Sequence, residues 1–156
     1  DRQITEDELN TILEAGTYAP TGMGKQSPKI VVVQNRELIR KISRMNAAVM
    51  HADTDPFYGA PTLLIVFGNR EIPTFVQDAA LVMGNLMNAA NALNVDSCYI
   101  NRAKEVFESE EGRKLMKEWG ISDQYVGVAN CILGYRAEGG VKDAAPRKKD
   151  YIVRVD

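Results

Sequence analysis

Between Asp78 and Asp96 the chain carries no charged residue, and Ala, Leu, Val and Met surround most of the segment. This stretch limits the possible folds more than any other. Residues 74–94 read as one helix, with Asn85, Asn88 and Asn91 in a narrow polar line at spacing i, i+3, i+6. A bilayer span wants about 20 predominantly apolar residues, and three asparagines in a shorter run argue against one. A helix that is apolar nearly all round must be covered nearly all round. A 156-residue chain has limited room to do that alone. The helix is therefore expected to be shared between its own sheet and a second subunit. The other solution is a central helix wholly inside one monomer.

The second constraint is Ala19-Pro20-Thr21-Gly22-Met23-Gly24-Lys25-Gln26-Ser27-Pro28. Two prolines bracket two glycines, so this backbone can neither continue a helix nor pair as a central strand. Gly22 and Gly24 can adopt positive φ and let a ligand approach the main chain. Thr21, Lys25 and Gln26 offer a hydroxyl, a cation and a carboxamide, and successive free N–H groups can hold an anion or a carbonyl edge. The alternative is an ordinary helix-to-strand connection. A phosphate-cradling P-loop is excluded, because Ala19 and Gln26 stand where it needs Gly and Ser or Thr. The dinucleotide fingerprint fails at Ser27, the place of its third glycine.

The rest of the chain alternates helical and strand patterns. Thr5 and Glu8 form a capping box, and Leu9, Ile12, Leu13 and Gly16 follow at helical spacing over about residues 6–18. Ile30-Val31-Val32-Val33 reads as a strand buried on both faces. Asn35 caps a second helix bearing Leu38, Ile39, Ile42 and Met45, and residues 46–60 read as irregular. Thr62–Phe67 is a second buried strand, Asp96–Asn101 a short strand and turn, and Val126–Tyr135 a long strand. Gly127 within it marks close approach by a helix or ligand. Residues 103–118 form a charged helical region bent around Ser109 and Gly112, ended by Gly120. Tyr151, Val153 and Val155 alternate as an added edge strand would.

Apolar residues make up 45% and charged residues 26% of one expected domain, residues 1–156, and the net charge of −2 gives no reason to expect nucleic acid or an anionic membrane. The two cysteines, Cys98 and Cys131, lack C-x-x-C spacing, so a reducing cytoplasm is expected, and Cys98 reads as a buried small apolar residue. His51, the single histidine, reads as solvated or structural, and no metal-ligand constellation is present. No nucleophile–base pair stands out, which fits chemistry carried by a cofactor.

Glu14–Pro28 closely resembles the "EAG-x-x-APSG-x-N-x-QPW" segment of the FMN-dependent nitroreductase family. Thr21 stands for its Ser, Gly24 for its Asn, and Ser27-Pro28 for its Pro-Trp. Gly59-Ala60-Pro61 is similar to the family's "GAP" before a strand, and Asp96–Asn101 to its "G-x-[GS]-x-x-W-[IT]". The ending from Ile121 through Gly134-Tyr135 is similar to "LGIPE-x-Y-x-x-x-A-x-x-x-LGYP". The family usually begins with an Arg-x-Ser-x-Arg-like stretch whose cations hold the FMN phosphate. Asp1-Arg2-Gln3-Ile4 starts just downstream of that place, so one arm of the phosphate site is expected to be upstream or absent.

The resemblance implies an α+β, three-layer α/β/α arrangement with a mixed, mainly antiparallel sheet and a C-terminal tail strand exchanged in a homodimer. It implies an FMN-dependent NAD(P)H oxidoreductase in which hydride passes through the flavin to a nitroaromatic, quinone or similar acceptor in a ping-pong cycle. Pro20, Thr21, Gly22, Gly24 and Gln26 would border the ring and ribityl chain, and Tyr99, Ile100 and Asn101 would neighbour the flavin. Arg147, with Lys148 or Lys149, would grip the phosphate from the partner's side of the interface. NADH and NADPH are not distinguished. The alternatives are a flavin-sequestering protein without turnover and an α+β interaction module without ligand.

Overall fold

Helix α1 (Glu6–Thr17) starts at the cap the sequence places there. Thr5 Oγ1 accepts the Glu8 N–H at 3.2 Å, and the Glu8 carboxylate accepts the Thr5 N–H at 2.8 Å. Asn35 caps α2 (Arg36–Val49) by accepting from the Leu38 N–H at 2.9 Å. The long helix α3 spans Phe75–Ala92, and the bent region resolves into α4 (Ala103–Glu108) and α5 (Glu110–Glu118). Ser109 caps α5 through the Gly112 N–H at 3.1 Å, and a Cβ on Gly112 would overlap the Val106 carbonyl. The structure, a computed structural model, describes residues 2–137, 140 and 143–155; Asp1 and Asp156, the ends of the expected domain, lie outside them.

Four strands, β1 (Lys29–Val33), β2 (Thr62–Asn69), β3 (Val95–Ile100) and β4 (Tyr125–Tyr135), form one sheet in the order β1-β2-β4-β3. All three pairings are antiparallel, so the described residues carry the antiparallel part of the expected mixed sheet. Alternation along the central strands divides the core in two. Leu64, Val66, Ala129, Cys131 and Leu133 pack with α1 and α3, while Leu63, Ile65, Phe67 and Ile132 pack with α2, α4 and α5. Helices thus cover both faces of the sheet. A bulge opens where Val66 pairs Ala129 and Phe67 pairs Gly127. There a Cβ on Gly127 would stand 2.6 Å from the Ala103 carbonyl, so the close approach read from the sequence is made by α4.

Three expectations change. β1 is an edge strand, with Val32 39% exposed, so its β-branched run does not mean burial on both faces; β2, in the middle, is the strand that does. Helix α2 continues to Val49, into the stretch read as irregular, because Asn46 and Ala47 extend its buried face. Asn46 hides from a hydrophobic pattern because its amide is satisfied inside the fold. Cys98 is exposed, since β3 is the other edge of the sheet. Among the described residues the tail pairs with no strand of its own chain, and Tyr151, Ile152, Val153 and Val155 are exposed, which leaves the expected exchange with a second subunit open to it.

Helix α3 buries Asp78, Ala79, Val82, Met83, Leu86 and Ala90 against its own chain. Its other side, with Ala80, Leu81, Gly84, Asn88 and Asn91, is exposed and uncharged. Asn85 donates to the Ala15 carbonyl at 2.9 Å, tying α3 to α1.

Candidate functional site

The loop between α1 and β1 is closed by hydrogen bonds within it and by one to α3. The Gly22 N–H goes to Asp78 Oδ1 at 2.9 Å, Gly24 N–H to the Thr21 carbonyl at 2.9 Å and Lys25 N–H to the Gly22 carbonyl at 3.2 Å. Thr21 Oγ1 accepts the Gln26 N–H at 2.9 Å. With these four N–H groups taken, the loop is not an anion-holding nest. The Gln26 carboxamide and the hydrogen of the Thr21 hydroxyl stay available to a ligand, and both are neutral.

The glycines divide their work differently from the sequence reading. Gly24 adopts positive φ (63°), as do Met23 (53°) and Gln26 (48°), which lack a glycine's freedom. Gly22 stays outside the left-handed region. Its missing Cβ matters because one would overlap the Thr74 hydroxyl. Ala19 is buried and Pro20 exposed, and Met23 is 79% exposed at the loop tip. Beside the loop, Thr21, Gln26, Leu13, Thr17, Ile30 and Val32 help to line a groove of about 390 Å³.

The second group of residues closes β3. Asn46 Nδ2 donates to the Asn101 carbonyl at 2.8 Å, and Arg102 Nε donates to Asn46 Oδ1 at 3.0 Å. Asn130 Nδ2 reaches the Ile100 and Asn101 carbonyls at 3.4 Å each. Arg102 takes φ 74° at this corner. Both Asn46 and Asn130 are fully buried, so two hidden amides hold the main-chain carbonyls of Ile100 and Asn101. Ile100 turns its side chain into the core, leaving it only main-chain groups to offer, whereas Tyr99 and Asn101 are exposed. Partial burial pushes the Tyr99 phenol up from its ordinary range, so it stays a protonated donor at neutral pH.

These two groups lie at the same end of the sheet but on opposite edges, beside β1 and β3. Three strand spacings separate the edges, about 14 Å at the usual interval. Arg147, Lys148 and Lys149 are exposed on the tail; the Arg147 guanidinium donates to the Ala145 carbonyl at 3.0 Å, and among the described residues no hydrogen bond or ion pair joins the three to either group. The chain therefore folds the candidate residues into three separate places.

A family model described as "Nitroreductase family" matches residues 1–56 and 49–135. The chain belongs to the nitroreductase family. A nitroreductase with bound FMN from Bacteroides fragilis superposes at a TM-score of 0.90 with 29% identity, covering 99% of this chain and 90% of that one. A second FMN-bound nitroreductase, from Desulfitobacterium hafniense, shares the fold at a TM-score of 0.86 and 22% identity, covering 99% and 89%. A curated relative from Archaeoglobus fulgidus, provisionally named an NADH dehydrogenase/NAD(P)H nitroreductase, is 28% identical over 141 residues, 86% of this chain and 76% of its own length. The nitroreductase fold expected from Glu14–Pro28 is thus the fold observed.

Four positioning side chains escaped the sequence reading: Thr74, Asp78, Asn46 and Asn130. Asp78 left a signal, as the last charge before the uncharged stretch. The asparagines left none, because their partners are carbonyls from distant segments. Among the described residues no cluster of His, Cys, Asp and Glu could hold a metal, and no helix is long and apolar enough to cross a membrane. His51 is exposed just past α2, as its reading expected.

Proposed function

We propose that this nitroreductase-family chain is an FMN-dependent NAD(P)H oxidoreductase, acting in the cytoplasm as a homodimer on a small electrophilic acceptor such as a nitroaromatic or a quinone. The observation that carries the reading is the similarity to the FMN-bound Bacteroides fragilis nitroreductase over nearly the whole chain.

The donor chemistry fits FMN. The loop offers neutral groups, Gln26 and the Thr21 hydroxyl, suited to the polar edge of the flavin and its ribityl chain. Asp78 stands behind the loop at Gly22, so a phosphate there would meet a carboxylate. The family resemblance assigns the phosphate to Arg147 with Lys148 or Lys149, where a planar guanidinium matches phosphate oxygens. Pro20 and the main chain around Gly24 would border the same ligand. Tyr99, Asn101 and the main chain of Ile100 would approach it from β3. Bound FMN supplies the hydride acceptance and electron delivery that these side chains lack. The chain's own part is to hold the cofactor, keep water from one side of it and leave the other open to substrate.

A second copy supports the assembly. Loop and β3 corner occupy opposite edges of one sheet, so two-fold pairing is the economical way to bring them onto one ligand. The uncharged outer side of α3 is a surface for it, and the exposed apolar tail has a partner to cross to. In this arrangement loop and Arg147 at each site come from different subunits.

The test is spectroscopic. Purified protein with FMN should be yellow, lose flavin absorbance anaerobically with NADH or NADPH, and regain it on adding a nitroaromatic or a quinone. Protein that ignores FMN would end this reading. Bound FMN that no nicotinamide bleaches would point to flavin sequestration.

A further inference from the structure

Asp78 is 2% exposed, and its two carboxylate oxygens face two different partners. Oδ1 accepts the Gly22 N–H at 2.9 Å from the loop, and Oδ2 accepts the Thr74 hydroxyl at 3.1 Å from the residue before α3. No ion pair neutralises it among the described residues. A carboxylate in that position is costly unless its hydrogen bonds are made, so its partners are tightly specified. Gly22 fits because it has no Cβ: one would overlap the Thr74 hydroxyl that Asp78 holds. Thr74, Gly22 and Asp78 thus form a three-part clamp between the start of α3 and the loop. Downstream of it the chain takes left-handed conformations at Met23 and Gln26, which cost energy for residues with a Cβ and persist only where the surroundings enforce them. The Thr21 hydroxyl closes the far side through the Gln26 N–H.

We propose that Asp78 is the positioning residue of the cofactor loop: through Gly22 and Thr74 it holds Thr21 and Gln26 in the geometry that receives the ligand, without touching the ligand itself. The proposal rests on the FMN reading for the identity of that ligand. It also gives the uncharged helix a second duty, since the start of α3 anchors the loop while its outer side stays free of charge.

The experiment compares Asp78→Ala, Asp78→Asn and Thr74→Val with the unaltered chain by two readouts. The first is the rate of tryptic cleavage after Lys25, an exposed loop residue, measured without FMN. The second is FMN affinity from fluorescence quenching. Loss of a buried hydrogen-bond partner should speed cleavage of Asp78→Ala by roughly tenfold or more, and weaken FMN binding by a similar factor. Asp78→Asn keeps an acceptor for the Gly22 N–H and should stay within about threefold of the parent in both. That rescue separates positioning from general loss of stability. Thr74→Val keeps the side-chain shape and removes one of the two bonds, so it decides the matter if Asp78→Ala does not fold; it should move both readouts in the same direction, less far. Unchanged cleavage in the folded variants, or faster cleavage with unchanged FMN affinity, would overturn the proposal. Failure of the FMN reading would look different: the parent itself would bind no FMN, while the cleavage difference at Lys25 would remain and support the clamp.

Discussion

Gly16 on α1 and Leu86 on α3 meet so closely that a Cβ on Gly16 would stand 2.7 Å from Leu86 Cδ2. Leu86 itself is fully buried. The missing side chain is what lets the first helix lie against the uncharged one, and the Asn85 bond to Ala15 fixes the same crossing. Gly16→Ala should therefore destabilise by about 1–3 kcal/mol, the usual cost of overpacking. Urea denaturation would measure it. A variant as stable as the parent would show that the helices can part without penalty.

Leu86 and Leu81 mark the buried and the exposed sides of α3. Leu86→Asp places a charge in the core and should yield insoluble or flavin-free protein. Leu81 is 48% exposed in the single chain, so if the proposed dimer forms on this side, Leu81→Asp should fold yet lose it and, with it, tight FMN binding. Light scattering distinguishes the two outcomes. A Leu81→Asp protein that stays dimeric would remove the outer side of α3 from the interface.

Among the described residues Arg147 donates to a carbonyl two residues away in its own chain. If it holds the FMN phosphate from across the dimer, Arg147→Ala should weaken FMN by about 1.5–3 kcal/mol, the worth of a charge-assisted hydrogen bond. Lys148→Ala and Lys149→Ala should differ from each other, because neighbours on an extended chain point to opposite sides. Equal FMN affinity in Arg147→Ala and parent would assign the phosphate to other cations.

Tyr135 donates its hydroxyl to the Glu8 carboxylate, with the Arg2 guanidinium 4.0 Å from the centre of its ring. The Tyr135 hydroxyl, followed by the Thr5 N–H and hydroxyl, holds the Glu8 carboxyl below its ordinary 4.5. The same bond is the main cause raising the phenol above its ordinary 10.0. A depressed carboxyl contributes stability above pH 4.5, lost as pH falls through the lower folded value. A raised phenol contributes stability below pH 10.0, lost as pH rises through the higher folded value. Tyr135→Phe should thus lower Tm at neutral pH and flatten both limbs of the Tm–pH curve. A curve parallel to the parent's would show that the pair adds nothing.

The two cysteines should behave oppositely. Burial, helped by the charge of Cys98, pushes the Cys131 thiol up to about 12, whereas Cys98 is exposed on its edge strand. A disulfide reagent at neutral pH should titrate one thiol per native chain and two after denaturation. Rapid reaction of both in the native state would contradict the buried placement of Cys131.

Local chemistry was legible in the sequence wherever it is settled between near neighbours. The Thr5–Glu8 box, the Asn35 cap, the bend at Ser109 and the loop between two prolines all depend on residues a few positions apart, and each stands where its pattern places it. The nitroreductase family was legible for the same reason, because Glu14–Pro28 is one continuous segment. Strand order was not. Ile30–Val33 and Leu63–Val66 read alike, yet one is an edge and the other the centre, because burial depends on which strands pair. The roles of Asp78, Asn46 and Asn130 belong with strand order: a buried polar side chain is stable only through partners that folding brings to it, here 56, 55 and 30 residues away. The tertiary structure alone also decided that loop and β3 corner stand on opposite edges, since no periodicity within either segment records the strands between them.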